Sequence, residues 1–214
     1  MRILAVNATA TIDLAALALR RTAAGLLAFA LAGCISLGGS PPESLLTLSA
    51  DTPAAAGSGT TASPDRKVIA VLELDAPAKL DVLRVPVQVS ATELAYLQDA
   101  FWVEKPARLF RSLLGETLRT RSKGAVLVLD GDETVALATT SLRGTLIDMG
   151  YDAPASRVVV RFDAIRVDSE GQATTRRFEA REGGVPAEAQ AVGAALNRAA
   201  NTVAGDVADW VVEG

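Results

Sequence analysis

The chain of 214 residues contains no histidine and only one cysteine, Cys34. A single thiol cannot close an internal disulfide, and without histidine it can form neither a Cys-His nucleophile pair nor a familiar zinc site. Aromatic residues make up only 4% of the chain, although half of it is hydrophobic. The core must therefore come from small and β-branched side chains, which favours tightly packed sheets with alanine-faced helices against them. An excess of positive charge is missing as well. Three of the 21 basic residues and one of the 25 acidic residues precede Cys34, so the chain from Cys34 onward carries 18 basic and 24 acidic groups, a net −6. That sign gives no general attraction for phosphate backbones and argues against nucleic acid as a partner. There is also no apolar run long enough to span a bilayer, which takes about 20 residues.

The longest apolar run at the amino end, AAGLLAFALA from Ala23 to Ala32, follows Arg20-Arg21 and precedes Gly33-Cys34. A positive region, a short apolar region and small residues at the end are the layout of a secretory signal. Leu31-Ala32-Gly33-Cys34 is similar to the lipobox of bacterial lipoproteins. In those proteins the cysteine sulfur is diacylated and the signal is cut just before it. The alternative is a chance Gly-Cys inside an ordinary cleavable signal; the position of the four residues at the end of the apolar run favours the lipobox. Each acyl chain is worth on the order of 10 kcal/mol, so two or three give a lasting anchor. Ile35 follows the cysteine. In the lipoproteins that this segment resembles, aspartate at that place retains the protein in the inner membrane, so isoleucine implies the outer membrane.

After the anchor, Ser36 to Glu43 holds Gly38-Gly39 and Pro41-Pro42 and reads as a tether. Ser44 to Ser49 predicts a first strand. Asp51 to Arg66 is a low-complexity loop whose Gly57 and Gly59 lack the third glycine and the strand–helix context of a phosphate site. Val68 to Pro77 predicts a strand buried on both faces, and Arg84 to Val103 predicts two more, with Val85, Val87 and Val89 on one face. Pro86 places the first of these at a sheet edge or near a strand start. At Pro106 the apolar period changes to about 3.6. Leu109, Phe110, Leu113, Leu114 and Leu118 then form one stripe, predicting a helix to about Arg121 that ends near Lys123-Gly124. Ser141 to Tyr151 and Ser156 to Val167 predict longer strands, and Asp168 to Gly171 a tight turn into Gln172 to Ala180. On the strand before that turn, Val158, Val160, Phe162 and Ala164 share a face. A long amphipathic helix is expected from Pro186 to Val212. The fold class is α/β in the α+β sense: one domain, with a mainly antiparallel sheet packed by two main helices.

Candidates for chemistry are few. Asp130, Asp132 and Glu133 form an acidic group, but the further oxygens and distant closing glutamate of a calcium loop are missing, and Asp130-Gly131 is also a favoured hairpin turn. No G-x-S-x-G or S-x-x-K occurs, and no pair of carboxylates is singled out for glycoside chemistry. Phe101-Trp102 is either an exposed anchor for a partner or membrane surface, or a cap on the core between strand and helix. No catalytic residue, cofactor or metal is expected.

The order of elements carries a resemblance. A lipobox, a short strand with Leu45-Leu46, a variable loop, a V-x-V strand, two more strands, Phe101-Trp102 and a proline-led helix ending L-R-T-R come first. The hairpin RFDAIRVDSEGQATTRRFEA and a terminal helix A-x-x-A-L-N-R-A-A-N-x-V-A-x-D-V-A-D-W-V follow. This resembles the ABC-type transport auxiliary lipoproteins over most of residues 31–214, departing from their Y-x-x-x-x-I-V-x-R pattern at Leu80 to Val89. The resemblance implies a signal peptide at 1–33, a lipidated tether at 34–43 with Cys34 as the acylated residue, and a periplasmic auxiliary domain at 44–214. It further implies a non-enzymatic protein on the periplasmic face of the outer membrane. Such a protein docks a mammalian-cell-entry (MCE) domain protein of an ABC system that moves lipids or other apolar molecules between membranes. Homo-oligomeric rings occur among such proteins. The alternative is an envelope tether or assembly lipoprotein with no transported substrate.

Overall fold

The computed structural model describes residues 44–60, 67–124, 126–129 and 137–213. Cys34 and the acidic group at 130–133 lie outside these residues. The strands are β1 (Lys67–Asp75), β2 (Arg84–Gln88), β3 (Leu94–Phe101), β4 (Val126–Leu129), β5 (Thr140–Asp152), β6 (Arg157–Val167) and β7 (Ala173–Gly183). The helices are α1 (Pro106–Arg121) and α2 (Ala189–Glu213), with a 3-10 turn at Ala78–Leu80. Among the described residues, no helix is long and apolar enough to cross a membrane.

The sheet is mixed. β5, β6 and β7 form an antiparallel meander, and β2 pairs antiparallel with β3, while β1 runs parallel to both β4 and β5, and β2 parallel to β5. Antiparallel ladders are the longer ones, as the alternating sequence leads one to expect. The parallel pairs arise because α1 carries the chain from β3 back to β4, and a crossover returns it in the direction of β1. β4 pairs with β1, and the Asp130-Gly131 turn expected after it lies outside the described residues.

β1 is the strand buried on both faces: Val68, Ile69, Ala70 and Val71 are all inaccessible between β4 and β5. Pro86 lies near the start of β2, as its third residue, and inside the sheet rather than at an edge, since β2 sits between β3 and β5. The β2–β3 register is irregular between Arg84 and Pro86, and the ladder to β5 begins only at Val87, so the absent N–H falls where pairing is interrupted. Room for the ring comes from Gly150 on β5, where a Cβ would lie 2.5 Å from the Pro86 carbonyl oxygen. Ser44 to Ser49 does not form a strand either. It makes a single parallel bridge, Leu46 to Trp102, because the next backbone groups are bound by asparagine side chains of α2 instead of a neighbouring strand.

Both helices pack on the face of the sheet that carries Val158, Val160, Phe162 and Ala164. The α1 stripe is buried as its period predicts, and Phe110 meets Phe162 edge to face at 5.3 Å. α1 ends where the left-handed residues Lys123 and Gly124 follow the Ser122 cap. α2 buries Ala195, Ala199, Ala200, Ala204 and Ala208, small side chains that let it lie close to the sheet. Its last carbonyls are capped from the sheet: the Lys67 ammonium donates to the Val211 oxygen at 3.1 Å and the Arg166 guanidinium to the Trp210 oxygen at 3.3 Å. Burial, with Arg166 nearby, pushes the Lys67 ammonium below its ordinary value. The β6–β7 turn closes on Asp168, whose carboxylate accepts the N–H groups of Glu170 and Gln172, with Gly171 at positive φ.

The other face of β5, β6 and β7 is a lattice of ions. Cross-strand partners Asp163 and Arg177 form a two-pronged pair at 2.6 and 2.7 Å, Arg161 binds Glu179, and Arg157 binds Asp152. The hydrogen bond from Arg177 holds the Asp163 carboxyl below its ordinary value, against a weaker opposing effect of burial.

Two outcomes are expected. Phe162→Ala should lower unfolding free energy by about 3–5 kcal/mol in urea titration; a loss under about 1 kcal/mol would contradict its place in the core. Because the Asp163 carboxyl titrates lower in the folded chain, its contribution is present above the unfolded value of about 3.9 and lost as pH falls through the folded value. The pair is exposed, so Asp163→Asn should lower Tm by no more than about 3 °C at pH 7. The two proteins should converge near pH 2, and a deficit that persisted there would assign the loss to shape, not charge.

Candidate functional site

β1 leaves the edge of β5 at Asp75, opposite Thr145, and β2 joins that edge only at Val87, opposite Tyr151. The interval is filled by the 3-10 turn. Leu80 is fully buried there, and Lys79 pairs with Asp148 of β5 at 2.9 Å. Between this turn, the carboxyl end of β1 and the first turns of α1 lies a groove of about 1050 Å3.

The groove is lined mostly by charged and polar side chains, with a few aliphatic ones among them. Leu74 and Leu80 belong to the core, while Leu83 and Val103 stand 46% and 48% exposed. These two exposed aliphatic side chains share one concavity and offer a small apolar contact within a polar surface. Around them, Lys105 pairs with Asp81 at 2.6 Å and Arg108 with Glu104 at 3.9 Å. Arg111 reaches inward from α1 and donates to the Val71 carbonyl at 3.1 Å, which fixes the helix against β1. Glu73 and Asp75 complete the rim.

The aromatic pair foreseen from sequence is split by the fold. Trp102 is 1% exposed, inside the core, and its indole N–H has no hydrogen-bond partner among the described residues. Phe101 is half-buried on the opposite side of the strand end, with the Arg84 guanidinium 5.6 Å from its ring and 5.3 Å from that of Tyr96. Trp102 nevertheless builds the groove. Its backbone N–H donates to the Leu83 oxygen at 2.9 Å, and the next N–H, of Val103, donates to the Leu46 oxygen at 2.9 Å. Leu83 and Val103 were not foreseen as site residues. In the sequence they are aliphatic residues beside strands, and only the folding of two loops toward one helix end brings them together.

The arrangement suits recognition. Among the described residues there is no group of three or more His, Cys, Asp or Glu side chains that could hold a metal ion. A second hollow of about 570 Å3 lies on the ionic face of the sheet beside Asp163, Thr175 and Arg177, but it is shallower in character, formed by the ladder itself.

Residues 46–208 match the family model of the ABC-type transport auxiliary lipoprotein component. Among solved structures, protein XCC0632 from Xanthomonas campestris is 16% identical with a TM-score of 0.60, over 72% of this chain and 91% of that one. An uncharacterized protein is also 16% identical, with a TM-score of 0.59 over 68% of this chain and 92% of that one. At such identity these two share the fold. The PelC dodecamer from Paraburkholderia phytofirmans, 15% identical over 69% of this chain and 93% of that one, has a TM-score of 0.36, too distant for its assembly to transfer. Among curated proteins none matches the sequence.

Proposed function

Since the chain belongs to the ABC-type transport auxiliary lipoprotein component family, we propose that it is a lipid-anchored periplasmic docking subunit of an MCE-type ABC transport system. The match over residues 46–208 carries the reading: it spans every described strand and most of α2. In this reading Cys34 is the acylated residue and holds the protein on the periplasmic face of the outer membrane. The MCE-domain protein docks at the groove, beside the chain segment Phe101-Trp102, and lipids or other apolar molecules pass between the membranes through that partner. Whether one copy or a ring of copies faces the partner changes only the number of grooves presented.

The chemistry of the groove supports docking. Lys105 and Arg108 stand at the amino end of α1, where the helix dipole disfavours positive charge, so they are not there to stabilise the helix. Together with Asp81 and Glu104 they make a polar rim around Leu83 and Val103, the usual anatomy of an interface with an apolar centre.

Cys34→Ala should leave the protein soluble or as uncleaved precursor on membrane fractionation; an unchanged outer-membrane fraction would remove the anchoring claim. Leu83→Glu, at an exposed position, should leave Tm within about 2 °C yet weaken capture of the MCE-domain protein at least tenfold, about 1.4 kcal/mol. Full capture by this variant would move the docking surface elsewhere, and no capture by the folded wild-type chain would favour the envelope-tether alternative.

A further inference from the structure

Residues 44–54 form no strand, yet their main chain is gripped repeatedly. At the start, the Leu46 N–H donates to the Phe101 oxygen at 2.7 Å, and the Val103 N–H donates to the Leu46 oxygen. Further on, the Ser49 N–H donates to the Asn197 side-chain oxygen and the Asp51 N–H to the Asn201 side-chain oxygen, each at 2.9 Å. The Asn201 side-chain NH2 in turn donates to the Ser49 carbonyl at 2.9 Å. The Ala54 N–H then donates to Glu116 of α1.

Asn197 and Asn201 continue a row that begins at Gly193, each one turn beyond the last on the same face of α2. Leu46 lies on that glycine: a Cβ there would come within 2.6 Å of its Cδ2. The row therefore offers one side-chain seat and, beyond it, amide groups that bind only peptide N–H and C=O. Asparagine is a poor residue for a helix interior, because its amide competes for backbone groups. Two of them in register are explained by the extended chain they hold.

We propose that Gly193, Asn197 and Asn201 form a seat for the main chain of residues 46–51, and that the seat sets the length of the leash between the lipid anchor and the domain. This rests on the reading of Cys34 as the anchor. Leu46 is joined to the sheet by one isolated bridge, to Trp102, which the asparagines back up three to five residues further on. With the bridge so supported the first residue held is Leu46, 12 residues after Cys34; if the bridge opens once that support is gone, the first is Lys67, 33 residues after. The greatest reach of the leash falls from about 110 Å to about 40 Å. The seat thus keeps the groove near its own membrane.

The test uses the full chain carrying Asn197→Ala and Asn201→Ala together. Alanine is the stronger helix former, so α2 itself is not weakened. Amide hydrogen exchange at Ser49 and Asp51 should accelerate at least tenfold while Val203 and Val207 change less than twofold. Unchanged exchange at Ser49 and Asp51, or equal acceleration along α2, would overturn the seat. In lipidated protein on phosphatidylethanolamine–phosphatidylglycerol vesicles, a fluorophore on Ser169→Cys should transfer energy to a lipid-bound acceptor less efficiently in the double variant. Equal transfer would overturn the leash role. Protein that fails to partition with the vesicles would overturn the anchoring reading and the leash with it, and leaves the exchange result to decide the seat.

Discussion

Strand β5 has two edges, and three strands must share them. β6 takes one edge from Ser141 to Asp152, so β1 and β2 divide the other and meet it at opposite ends. Buried backbone polar groups and apolar gaps are both costly, and the interval between the two strands has to be closed. The turn at Ala78–Leu80 closes it, with Leu80 in the core and Lys79 on Asp148. Bending the chain through that turn and back to β2 separates it from α1, and the groove is the space left between them.

The scarcity of large side chains shapes the rest. α2 lies on the sheet through alanines, and most of the large rings that are present are used centrally: Phe110 against Phe162, and Trp102 beneath the end of β3. Charge is kept to the other face, where alternate residues of β5, β6 and β7 pair across the strands. One face dry and one ionic is the antiparallel arrangement that the alternation of β6 announces. The close-lying α2 is also what brings Asn197 and Asn201 up to the entering chain.

How far the site could be read from the sequence follows from the range of each signal. The α1 stripe, its end at Lys123-Gly124 and the β6–β7 turn depend on residues within one turn of one another, and all three were legible. Pro86 was legible in part: its place near the start of a strand was one of the alternatives, but that the strand lies inside the sheet was not, because proline reports only a missing N–H and the room for its ring comes from Gly150, sixty-four residues away. Ser44 to Ser49 has the composition of a strand, but after one bridge at Leu46 its backbone partners are side chains on a helix near the other end of the chain. For Phe101-Trp102 the sequence left two readings open, an exposed anchor or a cap on the core, and Trp102 takes the second. A tryptophan signals a large burial without saying whether a partner or the core supplies it, whereas Leu83 and Val103 carry no signal until they share a wall.

By itself the sequence determined the amphipathic helices, the strand segments and the ionic and apolar faces of the meander, because each is written in a period of two or about 3.6 residues. It also determined the lipobox-like stretch and the order of elements by which the family is recognised. Only the tertiary structure decided that β1 and β4 run parallel, that the edge of β5 is divided, and that the main chain of residues 46–51 is held on α2 and the end of β3. Direction, sharing of an edge and docking of a chain on a helix are relations between distant residues, and no local period encodes them.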